Sequence, residues 1–178
     1  LKPRSSLCTL VGAVCGAIPP MMGWTAATGS LDYGAWILGA ILFVWQIPHF
    51  LALAWLYRED YAQGGFRMLP IIDPSGRTTC QLIVLYSLAL IPLGLAATIA
   101  GLAGWLYALG SILLGIAMVF EGVRFSVRRR NTDARRLFLA SILYLPLLLA
   151  FMVADQGSVH DCQTIAEVTI PSDPIDSL

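Results

Sequence analysis

The sequence predicts an all-α protein, a polytopic bundle of transmembrane helices, and three observations carry that expectation. Hydrophobic residues fill 57% of its 178 positions and charged residues 12%, where a soluble domain carries about 25% charged residues. That leaves too little polar surface to solvate the chain in water, and mean hydropathy is accordingly +0.74. Charge-free stretches cover residues 5–31, 33–57, 78–120 and 137–154, and about 20 apolar residues carry a helix across about 30 Å of hydrocarbon. The third stretch is long enough for two helices, so five spans are expected, near residues 7–28, 34–57, 79–99, 104–123 and 137–154. Lastly, all 11 Lys and Arg fall on one side of such a five-span chain.

In the first span Pro19-Pro20 lack amide hydrogens and are expected to interrupt the hydrogen-bond ladder, leaving non-helical backbone against protein or a cavity. Gly12 and Gly16, four residues apart, give that span a flat face for close helix contact. The second span carries a polar stripe. At 100° per residue Gln46, His49, Leu53, Tyr57 and Asp60 fall within about 80° of one another, so this face should look into the bundle. On one continuous helix His49 would lie about 16 Å from Asp60, too far to share a metal and suited to the two ends of an elongated substrate. Trp45, Phe50, Trp55 and Phe66 either line an apolar tunnel or make ordinary core and lipid contacts. The third and fourth spans divide at residues 100–104, where Gly101 and Gly104 permit a tight turn. After the fifth span the tail, residues 155–178, holds five acids with Pro171 and Pro174 and is expected to be disordered. The chain begins at Leu1 and is read as part of a longer protein. Cys8, Cys15, Cys80 and Cys162 form no CxxC pair and read as small hydrophobes.

The cations set the expected orientation. Lys2 and Arg4, then Arg58, Arg67 and Arg77, then Arg124, Arg128, Arg129, Arg130, Arg135 and Arg136 share one side. The positive-inside rule places that side, with the N-terminus and both long loops, in the cytoplasm or matrix and the tail outside. The membrane is then a bacterial cytoplasmic or mitochondrial inner one. A formal net charge of zero gives no reason to expect nucleic acid as a partner.

Chemistry concentrates in the loop from Tyr57 to Pro70. Adjacent Glu59 and Asp60, preceded by Arg58 and followed by Tyr61, Gly64, Gly65 and Arg67, suit a metal-bridged diphosphate. Mg²⁺ takes hard oxygen ligands from one or two carboxylates plus phosphate, and arginine pairs with the oxygens the metal leaves exposed. The competing reading is a solvated turn with internal ion pairs. Asp60 is the first choice for metal and Glu59 the second, because neighbouring helical residues diverge. His49 likewise has two readings, a substrate contact or a side chain hydrogen-bonded to a neighbouring helix beside the Pro48 kink.

Three motifs in order resemble a known family. They are Val11-Gly12-Ala13-x-x-Gly16-Ala17-Ile18-Pro19-Pro20-Met21-Met22-Gly23-Trp24-Thr25, then Trp45-Gln46-Ile47-Pro48-His49-Phe50-x-Ala52-Leu53-Ala54, then Arg58-Glu59-Asp60-Tyr61-x-x-Gly64-Gly65-x-x-Met68-Leu69-Pro70. The run resembles the UbiA-type intramembrane prenyltransferases, in particular their protohaem farnesyltransferase (haem O synthase) branch. That resemblance implies nine transmembrane helices and two acidic motifs on cytoplasmic loops that together hold Mg²⁺ and a prenyl diphosphate. The stretch from Arg58 to Tyr61 matches the second motif, and no counterpart of the first, an Asn/Asp-rich DxxxD-type loop, occurs in these 178 residues. The five spans would then be the C-terminal part of nine, inactive alone.

The implied reaction moves a farnesyl group from farnesyl diphosphate to a vinyl group of protohaem IX, giving haem O for terminal oxidases, with haem as substrate and not cofactor. Arg58 would clamp the diphosphate, Tyr61 would position it, and Tyr57 or Trp45 would face the allylic cation. Gln46, His49, Gly64 and Gly65 would contact substrate, and Lys2 and Arg4 match a basic stretch before the family's fifth span, although Pro3, Cys8 and Arg67 depart from the pattern. Implied partners are the lipid bilayer and haem-handling or oxidase assembly proteins. The alternative, a transporter or assembly subunit with His49 and Gln46 lining a path, calls for paired broken helices, and only the first two spans combine a mid-span proline with small or polar neighbours.

Overall fold

The computed structural model describes residues 8–65 and 68–168, the side chains of 8–10 and 156–168 excepted. Lys2, Arg4, Phe66 and Arg67 lie outside the described residues. The helices are α1 (Cys8–Thr28), α2 (Tyr33–Leu56), α3 (Arg58–Gln63), α4 (Leu69–Ile72), α5 (Arg77–Ile99), α6 (Trp105–Arg128) and α7 (Asn131–Val168), with no strand among the described residues. Four of them, α2, α5, α6 and residues 131–155 of α7, are long and apolar enough to cross a membrane. The protein is an all-α integral membrane protein.

Helix α2 packs on α5 and α7, which are bridged by α6, so these four close a ring, and α1 lies outside it against α2. Ile47, Leu51, Ile83, Met118, Phe125, Leu137 and Leu148 fill the middle of the ring. Their neighbours on the outer faces, such as Leu85, Leu113, Phe120 and Leu143, are exposed, as side chains that meet lipid should be. Small residues set the closest approaches: Gly16 leaves room for the Gln46 amide, and Gly34 for the Trp24 ring. The turn between α1 and α2 is fixed by Asp32, whose Oδ1 accepts from the Gly34 and Ala35 amides and from Trp24 Nε1 at 2.9 Å. Desolvation works against the Asp32 carboxylate, but the Ala35 and Gly34 amides, the Trp24 indole and the Ser30 hydroxyl outweigh it and hold its pKa below the usual value.

Several boundaries differ from those expected. Helix α1 runs unbroken through Pro19 and Pro20, because proline's φ is helical and only the bonds to the Cys15 and Gly16 carbonyls are lost. At 21 residues it is about 31 Å long, and among the described residues it is not one of the four helices long and apolar enough to span. The polar loop after α2 contains two short helices, with Pro70 in the first turn of α4, a position that tolerates proline. Helix α6 continues past residue 123 to Arg128, where Arg129 at φ 50° ends it. The tail also differs: α7 continues as helix to Val168, and the first proline follows only at 171.

The turn at residues 100–104 lies where expected, with Gly101 at φ +73°. Buried Asp155, from α7, accepts a hydrogen bond from the Tyr107 amide at 3.3 Å and so caps the start of α6. At the opposite end Arg129 donates to the Ser75 carbonyl, which brings the loop after α6 beside the loop before α5.

Candidate active site

The site is built on Trp55, in the last turn of α2. Its ring is buried, meets Phe125 of α6 edge-on at 5.2 Å, and lies against Gly76. Gly76 has φ +64°, and a Cβ there would stand 2.6 Å from the indole, so both the backbone and the space require glycine. On Trp55 rests the Arg58 guanidinium, 5.1 Å from the ring centroid. A cation held over an aromatic face keeps its edge N–H groups available for oxyanions.

Glu59 and Asp60 occupy the first turn of α3. Both are exposed, and neither forms an ion pair with a described Lys or Arg. The solvated turn with internal ion pairs is therefore only half realised among the described residues: the turn is solvated, and its carboxylates stay un-neutralised. Gly64 accepts the helix end and Gly65 turns away at φ +70°, returning the chain to α4, whose Pro70 is buried. Just behind, Asp73 anchors the start of α5. It accepts from the Ser75 hydroxyl at 2.6 Å and from the Thr79 amide at 3.1 Å. The Ser75 hydroxyl, opposed by slight desolvation and joined by the Thr79, Thr78 and Gly76 amides, lowers the Asp73 pKa.

The stripe expected on α2 is broken at its mouth. Helix α2 ends at Leu56, Tyr57 has φ −104° and ψ 23°, and α3 begins afresh, so Asp60 does not lie on the same continuous helix face as His49 and the 16 Å separation does not follow. Tyr57 is exposed and Gln46 buried, its Oε1 without a described hydrogen-bond partner. His49 lies about 10 Å along α2 from its end and turns to α7, its Nδ1 2.8 Å from Ser141 Oγ. Its ring stacks on Trp45 at 5.0 Å and on Phe138 at 4.8 Å and meets Phe50 edge-on. Trp45 Nε1 donates to the Ser141 carbonyl at 2.8 Å. The hydrogen bond from His49 to a neighbouring helix is present and engages Nδ1 alone.

The structure thus joins Arg58, Glu59 and Asp60 in one exposed turn and gathers Trp45 and His49 in a separate cluster deeper in the bundle. Sequence reasoning missed Ser141, Phe138 and the Trp55 platform. Spacing carried a signal for the last of these, since Arg58 follows Trp55 by three residues. Among the described residues no three His, Cys, Asp or Glu side chains gather into a metal cage; the donor set is one carboxylate at a time, which fits a metal that takes its remaining oxygens from diphosphate and water. The contacts of Arg58 with Trp55, Trp55 with Gly76 and Arg129 with Ser75 put the arginines of α3, the start of α5, and the α6–α7 junction at one end of the bundle.

Residues 1–142 match the UbiA prenyltransferase family. The chain belongs to that family. It is 46% identical over 156 residues to the protoheme IX farnesyltransferase of Solibacter usitatus, covering 88% of this chain and 53% of that protein. It is also 46% identical over 154 residues to the human mitochondrial protoheme IX farnesyltransferase, covering 86% of this chain and 34% of that one. Against the Koribacter versatilis enzyme of the same name identity is 44% over 163 residues. The chain spans about half the length of the bacterial relatives and a third of the human one. No solved structure matches it.

Proposed function

We propose that the intact protein carrying this chain transfers a farnesyl group from farnesyl diphosphate to a vinyl group of protohaem IX, giving haem O. The single observation that carries this reading is the turn at α3, where two exposed carboxylates, without an ion-pair partner among the described residues, follow an arginine stacked on a tryptophan at the mouth of a membrane bundle. Asp60 is the carboxylate that would hold Mg²⁺. Glu59, about 100° around the helix from Asp60, is the second choice for metal contact. When bound, Mg²⁺ neutralises charge on the leaving diphosphate. Arg58, its face taken by Trp55, offers N–H groups to the remaining phosphate oxygens. Tyr61 orients the diphosphate, and the Tyr57 ring stabilises positive charge on the allylic carbon. Lys2 and Arg4 add phosphate contacts from before α1. Magnesium, the haem acceptor, and the cytoplasmic or matrix location of this end all belong to the proposal, as does a fifth span formed by α1.

The test supplies the purified intact protein in lipid nanodiscs with Mg²⁺, farnesyl diphosphate and haem. A product heavier than haem by a farnesyl group plus a hydroxyl, the latter from water that captures the cation left on the alkylated vinyl group, is expected, and it should be lost on chelation of the metal. Unchanged haem under those conditions would refute the reading.

A further inference from the structure

The hydroxyl of Ser141 has one hydrogen, and the geometry says where it goes. Ser141 Oγ donates to the Phe138 carbonyl at 2.6 Å, one turn back along α7. Its 2.8 Å contact with His49 Nδ1 must then run the other way, with Nδ1–H as donor and Oγ as acceptor. The tautomer of His49 is fixed by this, with the proton on Nδ1 and the lone pair on Nε2. No carboxylate is paired with the ring among the described residues, and an uncompensated imidazolium is disfavoured inside hydrocarbon, so the ring is neutral. Nε2 has no hydrogen-bond partner among the described residues and is not one of the fully enclosed polar atoms left without one, and the residue as a whole is half-buried. Stacking on Trp45 and Phe138 holds the ring plane, and the Trp45 indole is in turn tied to the Ser141 carbonyl at 2.8 Å.

We propose that His49 Nε2 is an axial ligand for the iron of the porphyrin acceptor and that Ser141 is its positioning residue. A neutral imidazole whose far nitrogen is hydrogen-bonded to a fixed acceptor is the arrangement metal-ligating histidines use, because that bond sets the tautomer and ring orientation. Trp45 and Phe138, tilted only 21° and 26° from the imidazole, would meet a macrocycle bound at Nε2 with their apolar edges, and Phe50, at 64°, more nearly with its face. The inference rests on the proposed porphyrin acceptor, and iron separates the two. The intact protein in nanodiscs is titrated with ferric haem and, separately, with metal-free protoporphyrin, following the Soret band and the iron spin state.

Wild type is expected to bind both and to show nitrogen-ligated iron with haem. His49→Ala should lose that ligation signature, regain it on addition of imidazole, and keep its affinity for metal-free porphyrin. Ser141→Ala, which leaves the Trp45 bond to the main chain intact, should weaken haem binding by about 10–100-fold without changing metal-free binding. An unchanged iron spectrum in His49→Ala would overturn the ligand assignment while leaving the porphyrin acceptor standing. Equal haem affinity in Ser141→Ala would overturn the positioning role. Failure of wild type to bind either porphyrin would refute the proposed acceptor itself.

Discussion

Trp55 joins two demands on a single side chain. It fills the junction of α2, α5 and α6 through Phe125 and Gly76, and it presents its other surface to Arg58. Gly76→Ala is therefore expected to do two things at once. The methyl would meet the indole, and alanine at φ +64° costs about 1–2 kcal/mol by itself. Thermal melting of the variant in detergent should show the loss, and the KM for prenyl diphosphate should rise because Arg58 loses its platform. A variant that melts like wild type would remove the platform argument. At this scale the acidic turn was legible in the sequence, because charges beside a 25-residue uncharged stretch stand out. Ser141 was not legible. It lies 92 residues from His49, and nothing in the α7 sequence tells which of its faces meets α2.

Helix ends and helix pairs are held by a few acids. Asp73 caps α5 through Ser75 and Thr79, and its lowered pKa has a definite sign in stability. A carboxylate with a pKa below its unfolded value near 3.9 stabilises fully above that value. The stabilisation is lost as pH falls through the lower folded pKa. Wild type should thus melt above Asp73→Asn at pH 6, and the gap should begin to narrow as pH falls below about 4; a gap that stays constant all the way down the acid range would show that charge is not what Asp73 contributes.

Between α6 and α7 the Arg124 Nε donates to Asp133 at 3.1 Å, with Asp133 only 4% exposed. Asp133→Ala should cost on the order of 1–3 kcal/mol, measured by melting, whereas a change within error would mean that the pair is worth no more than an exposed one. Elements were legible as long charge-free stretches, and the turn at Gly101 as a glycine pair. Their ends were not, because a proline at a helical φ need not stop a helix and an acid such as Asp155 can be buried as a cap rather than begin a tail.

Four long helices form a ring with α1 against one of them, and the described arginines collect at one end. That grouping was foreseen from the alternation of charged and uncharged segments, which needs no knowledge of packing. A cysteine at Thr132 and another at Ser30, each exposed and in opposite end regions of the bundle, test the orientation when native cysteines are replaced. Thr132→Cys should label with a membrane-impermeant reagent from the cytoplasmic or matrix face, and Ser30→Cys from the other. Labelling of both from one face would contradict the five-span arrangement. Expressed alone, the 178-residue chain should give no farnesylated haem, since it supplies one acidic cluster where the resemblance calls for two; robust product would show that one cluster suffices.

The central claim is that the turn at α3 holds the metal and diphosphate, and Asp60→Asn in the intact protein tests it most directly. The substitution keeps side-chain volume at an exposed position and removes the charge that draws Mg²⁺, so insertion and melting should stay within about 0.5 kcal/mol of wild type. Product formation, read by mass, should fall by about 100-fold or more. Turnover within a few-fold of wild type at saturating Mg²⁺ would contradict the account and reduce the turn to surface charge.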